Sequence, residues 1–374
     1  MANSAGSRKK SCPACGSAAT LSIELPYPKF GHHDFALLNA DPSVLIQCES
    51  CSLIAQDHDA DEHPAIDRFF LSHEYAVTER IQETNVDEFD ASVSLSFLQA
   101  ELLSHEVTSA APAILDIGCF DGRLLREIAV HYPESTRLGF DVSARPQFDG
   151  GEDSKFVTGS LSDVDGRFDM IMLSQSLQYI RDIPSLFRDI DRLLSPEGKL
   201  FIHAPNCLEK PCSLLLGDQH YYFSPESMAN LLSRHGFRSE AIGEAWFPRD
   251  ILVIGQRDDA TKPGKNLVGG SVVDVVAQID AVVERLEALA PTAGRTGVLG
   301  TTIDAAFVGN QLGDRVAFFV DENTSKIGRQ FHGKPVIHPD TIGENDLIVI
   351  PLGVKSHKTQ ARLSDAYSGT FVAI

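Results

Sequence analysis

The chain has 374 residues, of which 43% are hydrophobic and 22% charged, a balance typical of globular proteins and enough for two or three domains. Its formal net charge of −20 excludes a nucleic-acid role built on phosphate neutralisation. No apolar run reaches membrane-spanning length, and Met1–Lys10 has no apolar signal-peptide core, so the expected compartment is the cytoplasm.

Seven cysteines are an odd number, and without an export signal a disulfide framework is the weaker explanation. Cys12-Pro-Ala-Cys15 and Cys48-Glu-Ser-Cys51 instead form two Cys-x-x-Cys knuckles separated by 32 residues. A two-residue gap lets both thiolates face one tetrahedral ion, and two pairs close a four-sulfur site for a structural Zn2+. Leu21–Leu25 and Ser43–Gln47 alternate enough to be short strands of a ribbon around it. Such a module is too small for its own apolar core and needs the metal to fold. His32, His33, His58 and His63 read as surface, because four sulfurs already satisfy one ion. From Asp67 through Tyr75 the chain leads into a helical run ending near Ser104.

The stretch Ala113–Leu125 carries an apolar strand (Ala113, Ile114, Leu115, Ile117) that runs through Asp116 and ends at Gly118. Gly122 sits where a helix begins, and Leu124, Leu125, Ile128 and Ala129 recur at helical spacing. A glycine at 118 lets the backbone approach a ligand, and the helix N-terminus offers unpaired N–H groups. From here to about Arg257 strands and helices alternate as a doubly wound α/β sheet requires. A second strand, Thr136–Asp141, ends in an acid placed to hold both hydroxyls of a ribose. Its spacing from Gly122 also suits a dinucleotide enzyme, so it does not choose the cofactor. A third strand, Lys155–Thr158, delivers Ser160 and Leu161 towards an adenine. A fourth, Phe168–Ser174, brings Ser174 and Gln175 to the switch-point crevice. A helix (Ile183–Leu194), a turn (Ser195–Gly198), a strand (Lys199–Pro205) and a helix (Met228–His235) complete the expected core.

The glycine turn with Asp116, Gly118, Cys119, Asp121 and Gly122, the Phe168-Asp-x-Ile strand and the Leu-Leu-x-Pro-x-Gly turn together resemble class I S-adenosylmethionine (SAM)-dependent methyltransferases. This implies SAM as cofactor, held by Asp116, Gly118, Cys119, Asp121, Gly122, Asp141, Ser160, Leu161, Ser174 and Gln175.

Beyond Arg257, Asp258–Asn266 reads as a linker and Ser271–Leu289 as an amphipathic helix. Strands ending in Gly, Asp or Pro then predict a second α/β unit, in which Gly297 and Gly300 read as structural turns before a phosphate cradle. The expected domains are therefore a ribbon (1–65), a core with a helical lead-in (66–257) and a C-terminal α/β domain (258–374). This order resembles the three-part sugar C-methyltransferase family, which implies a nucleotide-linked keto-deoxysugar as substrate. The resemblance makes His220, shortly before Phe223-Ser224, the general base, with Tyr222, Tyr75 and Tyr179 as further catalytic candidates. The family's Tyr-His-Glu-His run is reduced here to Asp218-Gln-His220, and Tyr179 stands where the family often has a histidine. Two other readings are an O-methyltransferase of a saccharide or secondary metabolite, and a non-catalytic nucleotide-sugar-binding protein. Cys207 and Cys212 read as packing residues. Oligomeric state, methylated atom and stereochemistry stay open.

Overall fold

The structure is a computed structural model, and it describes residues 11–12, 14–18, 20–31, 35–39, 42–57, 81–82, 93–244, 246–258, 269–290, 293–351 and 356–374. Tyr75 and the histidines at 32, 33, 58 and 63 lie outside them. Two compact units emerge, neither of them a continuous stretch of chain. The first comprises Met1–Ser22, Val44–Asn206 and Gln219–Gly270; the second comprises Ile23–Ser43, Cys207–Asp218 and Ser271–Ile374.

Strand β1 (Thr20–Leu25) runs out of the first unit and into the second, where β2 (Lys29–Phe30) pairs antiparallel with β3 (Leu37–Asn39). The chain returns through β4 (Ser43–Cys48), which pairs antiparallel with β5 (Ile54–Gln56). A short pair, β6 (Ile81–Gln82) and β7 (Val93–Ser94), precedes helix α1 (Leu95–Leu103). Ser94 caps that helix by accepting from the Phe97 N–H at 3.1 Å, and Ser104 ends it, as expected.

Seven strands build the core sheet. They are β8 (Ala113–Ile117), β9 (Thr136–Asp141), β10 (Ser154–Thr158), β11 (Phe168–Ser174), β12 (Leu194–Pro205), β14 (Phe237–Ala241) and β15 (Asp250–Arg257). Between β12 and β14 a two-residue strand, β13 (Tyr221–Tyr222), leaves this sheet and pairs with β5. The core order is β10-β9-β8-β11-β12-β15-β14, or 3-2-1-4-5-7-6 by position in the chain. Only β15 runs against its neighbours. The central strands are continuous apolar runs because helices cover both faces: Met170, Ile171, Met172 and Leu173 are all 0% exposed.

Helix α2 (Arg123–His131) follows β8, α3 (Ile183–Leu193) follows β11, and α4 (Pro225–Arg234) follows β13. In α3 the buried side chains Ile183, Leu186, Phe187, Ile190 and Leu193 share one face, and Asp182 caps the first turn by accepting from the Ser185 N–H at 3.0 Å. Two expected boundaries move. Helix α4 starts at Pro225, not Met228, because Ser224 and Ser227 form a reciprocal capping box and proline suits the first turn. The expected turn Ser195–Gly198 is absorbed into β12 as a register irregularity: Phe168 faces Leu194, yet Met170 faces Lys199.

The second unit contains α5 (Val272–Glu287), capped by Ser271, and a six-stranded sheet. Its strands are β16 (Thr296–Leu299), β17 (Val316–Val320), β18 (Gln330–Phe331), β19 (Lys334–Ile337), β20 (Leu347–Ile350) and β21 (Thr370–Ala373), ordered β18-β19-β17-β16-β20-β21. All pairs but β18–β19 are parallel, with α6 (Ile303–Leu312) and α7 (Ser356–Ala366) as crossovers. Gly297 lies inside β16, where a Cβ would come within 2.4 Å of the Phe318 ring, so close sheet packing explains it. The hairpin β2–β3 belongs to this unit: Tyr27 donates to Asp280, its ring meets Phe307 edge-on at 5.3 Å, and the Gly217 N–H donates to the Phe30 carbonyl.

No helix among the described residues is long and apolar enough to cross a membrane. Removing the α4 cap by Ser224→Ala should lower stability by about 1 kcal/mol, read as a reduced urea midpoint for the unit that contains it.

Candidate active site

The C-terminal ends of β8 and β11 lie side by side, with Asp116 opposite Met172. Asp116 is 2% exposed, and its Oδ1 has no hydrogen-bond partner among the described residues. Burial, reinforced by the charges of Asp141 and Asp121, pushes its carboxyl up to about 8. Such an acid is poised for a cation. The ammonium group of a bound amino acid would supply both the missing donor and the missing charge.

Beyond Asp116 the chain turns through Gly118 (φ +79°), Phe120 (φ +49°) and Gly122 (φ +83°) into the α2 N-terminus. Gly118 is required by its neighbour as well as by its φ: a Cβ there would stand 2.6 Å from the Ser176 Cβ. Ser176 crosses from the loop after β11 and donates to the Ile117 carbonyl at 2.8 Å. Asp121 accepts from its own helix, through the Arg123 N–H at 3.3 Å and Arg123 Nε at 2.7 Å. Cys119 is buried, and burial followed by the Asp116 charge raises its thiol, so it packs as a neutral group.

Asp141 ends β9, as a ribose-holding acid should. Its Oδ2 accepts from the Phe120 N–H at 3.2 Å, tying it to the glycine turn. Its Oδ1 accepts from Arg145 at 2.9 Å, a buried ion pair that sequence reasoning missed despite the four-residue spacing. The Arg145 guanidinium also lies 5.7 Å from the Phe120 ring centroid. Ser160 and Leu161 sit just past β10, where Ser160 meets the Ser162 hydroxyl at 2.7 Å.

At the end of β11, Ser174 accepts from the Gln99 amide at 2.7 Å. Gln175 is left-handed (φ +56°), with a buried and unpartnered Oε1. Gln178 is 1% exposed; its Nε2 donates to the Gln175 carbonyl at 3.0 Å, and its Oε1 has no donor. Three buried acceptor oxygens, on Asp116, Gln175 and Gln178, thus lack donors on or just beyond two adjacent strands. No periodicity in the sequence marks Gln178, because its burial comes from the loop around it.

The same loop is tied to residues expected to be catalytic. The His220 N–H donates to the Gln178 carbonyl at 2.8 Å, and Gln219 Nε2 donates to the Tyr179 hydroxyl at 3.2 Å. His220 is 5% exposed. Its carbonyl accepts from the Gln56 N–H at 3.1 Å, and the Tyr222 hydroxyl donates to Gln56 Oε1 at 2.8 Å. Tyr222 is therefore a strut between β13 and β5. Tyr221 donates to the Arg181 carbonyl at 2.8 Å, and burial pushes its phenol up to about 12. The structure thus ties His220 and Tyr179 to the loop that carries Gln175 and Gln178, whereas Tyr222 is turned to β5.

The strand β5 leads back to the cysteines. Cys12 Sγ lies 3.5 Å from Cys51 Sγ and Cys15 Sγ 3.4 Å from Cys48 Sγ, and all four sulfurs lie within 4.8 Å of one another. Both knuckles share one fold: Cys12 N donates to Ser17 O as Cys48 N does to Leu53 O, and Gly16 N donates to Cys12 O as Ser52 N does to Cys48 O. Left-handed residues, Gly16 and Ser52, complete each turn. Hydrogen bonding from Cys51 lowers the Cys12 thiol to about 5, while burial raises Cys15 to about 11. Four sulfurs so arranged match a closed tetrahedral metal site. Helix α4 braces it through Asn230 on the Cys51 carbonyl and Arg234 on the Cys15 carbonyl.

A 3-2-1-4-5-7-6 sheet with one reversed strand, a glycine turn after its first strand and an acid after its second is the arrangement expected of a class I SAM-dependent methyltransferase domain. Residues 95–242 match the family model described as a methyltransferase domain. A 96-residue stretch is 29% identical to a trans-aconitate 2-methyltransferase of Deinococcus radiodurans, covering 25% of this chain and 37% of that one. A 141-residue stretch is 28% identical to the enzyme of the same name from Methylobacterium nodulans, covering 34% and 54%. The chain thus spans between 37% and 54% of the length of these two curated relatives. Among solved structures, it is similar to an O-methyltransferase family protein from Burkholderia thailandensis, with a TM-score of 0.37, 20% identity, and coverage of 44% and 57%.

Asp116 has a folded pKa above the ordinary carboxylate range, so the folded state holds its proton more tightly than the unfolded chain. Its contribution to stability therefore falls as pH rises from about 4 towards 8, and the ionised carboxylate is a burden above that. Asp116→Asn should raise the melting temperature of the ligand-free protein at pH about 9 and flatten its dependence between about pH 4 and 8. Differential scanning calorimetry across that range checks this; an unchanged profile would show that the acid is not buried.

Proposed function

We propose that the chain transfers the methyl group of SAM to a carbon of a nucleotide-linked keto-deoxysugar, with His220 as general base. The observation that carries the reading is the Gln178 carbonyl, which ties His220 to the loop bearing the buried acceptors beside Asp116. A cation-seeking donor site and a buried histidine are thereby held by one short segment. SAM supplies an electrophilic methyl on a sulfonium. Asp116, Gln175 and Gln178 have the acceptor oxygens to hold its ammonium group, and Asp141 is placed for its ribose.

On the acceptor side, His220 would take the proton next to the ketone, and the resulting enolate carbon would bond to the methyl as the methyl–sulfur bond breaks and a neutral thioether leaves. Tyr179, whose hydroxyl accepts from Gln219 at 3.2 Å, is the candidate to stabilise the developing oxyanion. Tyr222 spends its proton on Gln56, so its part is to fix the segment that carries His220. The sugar acceptor is supported by the order of a four-cysteine ribbon, a methyltransferase core and a second parallel α/β unit.

Isothermal calorimetry should detect SAM binding, and binding a cation beside Asp116 should release close to one proton at about pH 7. Affinity should therefore rise with pH up to about 8, and absence of binding heat would sink the donor half. His220→Ala should retain SAM affinity and lose at least about 100-fold in turnover; unchanged turnover would remove His220 from the chemistry. The relatives named trans-aconitate 2-methyltransferase favour a second reading, a small carboxylic acid as acceptor, which would take the methyl group on oxygen. Labelled methyl transfer followed by ether and ester cleavage separates the two, since a carbon-bound label survives.

For the four cysteines, the proposal is one structural Zn2+. Metal analysis of the purified protein should give one zinc per chain, and Cys48→Ser should lose it and lower the melting temperature. A metal-free wild type with an unchanged melting curve would refute a structural ion.

A further inference from the structure

His203 takes no part in the chemistry above, yet it is the most deeply placed titratable ring near the crevice. It lies on β12 directly opposite Ser174 of β11, at 0% exposure, with the Phe247 ring 5.3 Å away. A polar ring in such surroundings is costly unless its nitrogens are engaged. Gln99, reaching in from α1 and 1% exposed, places its amide nitrogen 2.6 Å from His203 Nδ1 and 2.7 Å from Ser174 Oγ.

An amide nitrogen only donates, and it carries two hydrogens. One goes to His203 Nδ1, which must then be an acceptor, and the other goes to Ser174 Oγ. The ring proton consequently sits on Nε2, which lies 3.8 Å from Asp250 Oδ1, an electrostatic contact longer than a hydrogen bond. The reversed amide would need a proton on Nδ1 and would make Ser174 the donor to Gln99. A carboxylate on the Nε2 side selects the first arrangement, because it favours a proton there. The backbone locks the same corner: the Gln175 N–H donates to the His203 carbonyl at 2.8 Å, holding Gln175 in its left-handed conformation.

Resting on the SAM-binding reading, we propose that Gln99 and His203 are positioning residues that keep Ser174 a hydrogen-bond donor to the carboxylate of the methyl donor. Because Gln99 fills an acceptor site on Ser174, the hydroxyl proton is left for the crevice. The chain Asp250–His203–Gln99–Ser174 thus sets the direction of one hydrogen bond without touching the ligand except through Ser174.

The discriminating variant is Gln99→Glu, which keeps the shape but accepts only. It forces a proton onto His203 Nδ1 and turns the Ser174 hydroxyl towards the introduced carboxylate. Calorimetry should show SAM affinity weakened about tenfold, the loss of one hydrogen bond to a charged group. Ser174→Ala should lose a similar factor, and adding Gln99→Glu to Ser174→Ala should cost no more. Nitrogen-15 NMR of histidine-labelled protein should show His203 with its proton on Nε2 in the wild type and doubly protonated in Gln99→Glu. A wild-type Nδ1–H tautomer would overturn the network. Full SAM affinity in Ser174→Ala with a raised KM for the methyl acceptor would move the bond to the acceptor and overturn the assignment. Independent losses in the double variant would reduce Gln99 to a packing role. Wild-type protein that binds no SAM would sink the functional reading instead, and the tautomer measurement separates that case.

Discussion

A carboxyl buried among other acids cannot hold its charge without help, and much of the candidate site is arranged around that difficulty. Asp116 lies one residue before the end of the first core strand, and burial, with Asp141 and Asp121 nearby, keeps its proton on towards neutral pH. The parallel pairing of β8 with β11 then brings the loop after β11 against the glycine turn. That loop adds further acceptor oxygens and no cationic partner for the acid. A site of this kind trades stability for affinity towards a positively charged ligand.

The loop from Ser174 to Tyr179 is the joint between the two halves. One side of it touches the glycine turn through Ser176; the other holds His220 and Gln219. His220 in turn hangs on β5 through Gln56, and β5 follows directly on the second cysteine knuckle. The four-sulfur cluster is thereby connected, through backbone pairing of β5 with β13, to the placement of the candidate base. A metal ion held by these four sulfurs would suit such a support, because a closed tetrahedral site is rigid and needs no large apolar core.

Elements with strong local signals were legible. The apolar runs of β8 and β11 could only be strands covered on both faces, and the Cys-x-x-Cys spacing matched the knuckles residue for residue. Five of the seven core strands followed from the alternation of strands and helices, and β14 and β15 did not. Helix α4 was misplaced by three residues because its start depends on the reciprocal Ser224–Ser227 bonds, which the apolar pattern does not record. Within the site, Asp116 and Asp141 stood at strand ends, where the doubly wound fold puts ligand-facing acids. Gln99, Arg145, Gln178 and His203 were not found, since each owes its environment to partners brought in by the fold.

What the sequence determined by itself was the repertoire: a four-sulfur cluster, a glycine turn after an apolar strand, an acid after the next, and a second parallel α/β unit. These depend on spacing and periodicity, which are local properties of the chain. Only the tertiary structure decided which groups are satisfied and which are left wanting a partner. It placed Ile23–Ser43 in the second unit, bound Arg145 to Asp141, turned Tyr222 into a strut and buried His203 between Gln99 and Asp250. The reason is physical: burial and hydrogen-bond satisfaction are properties of neighbours in space, and no spacing along the chain encodes them.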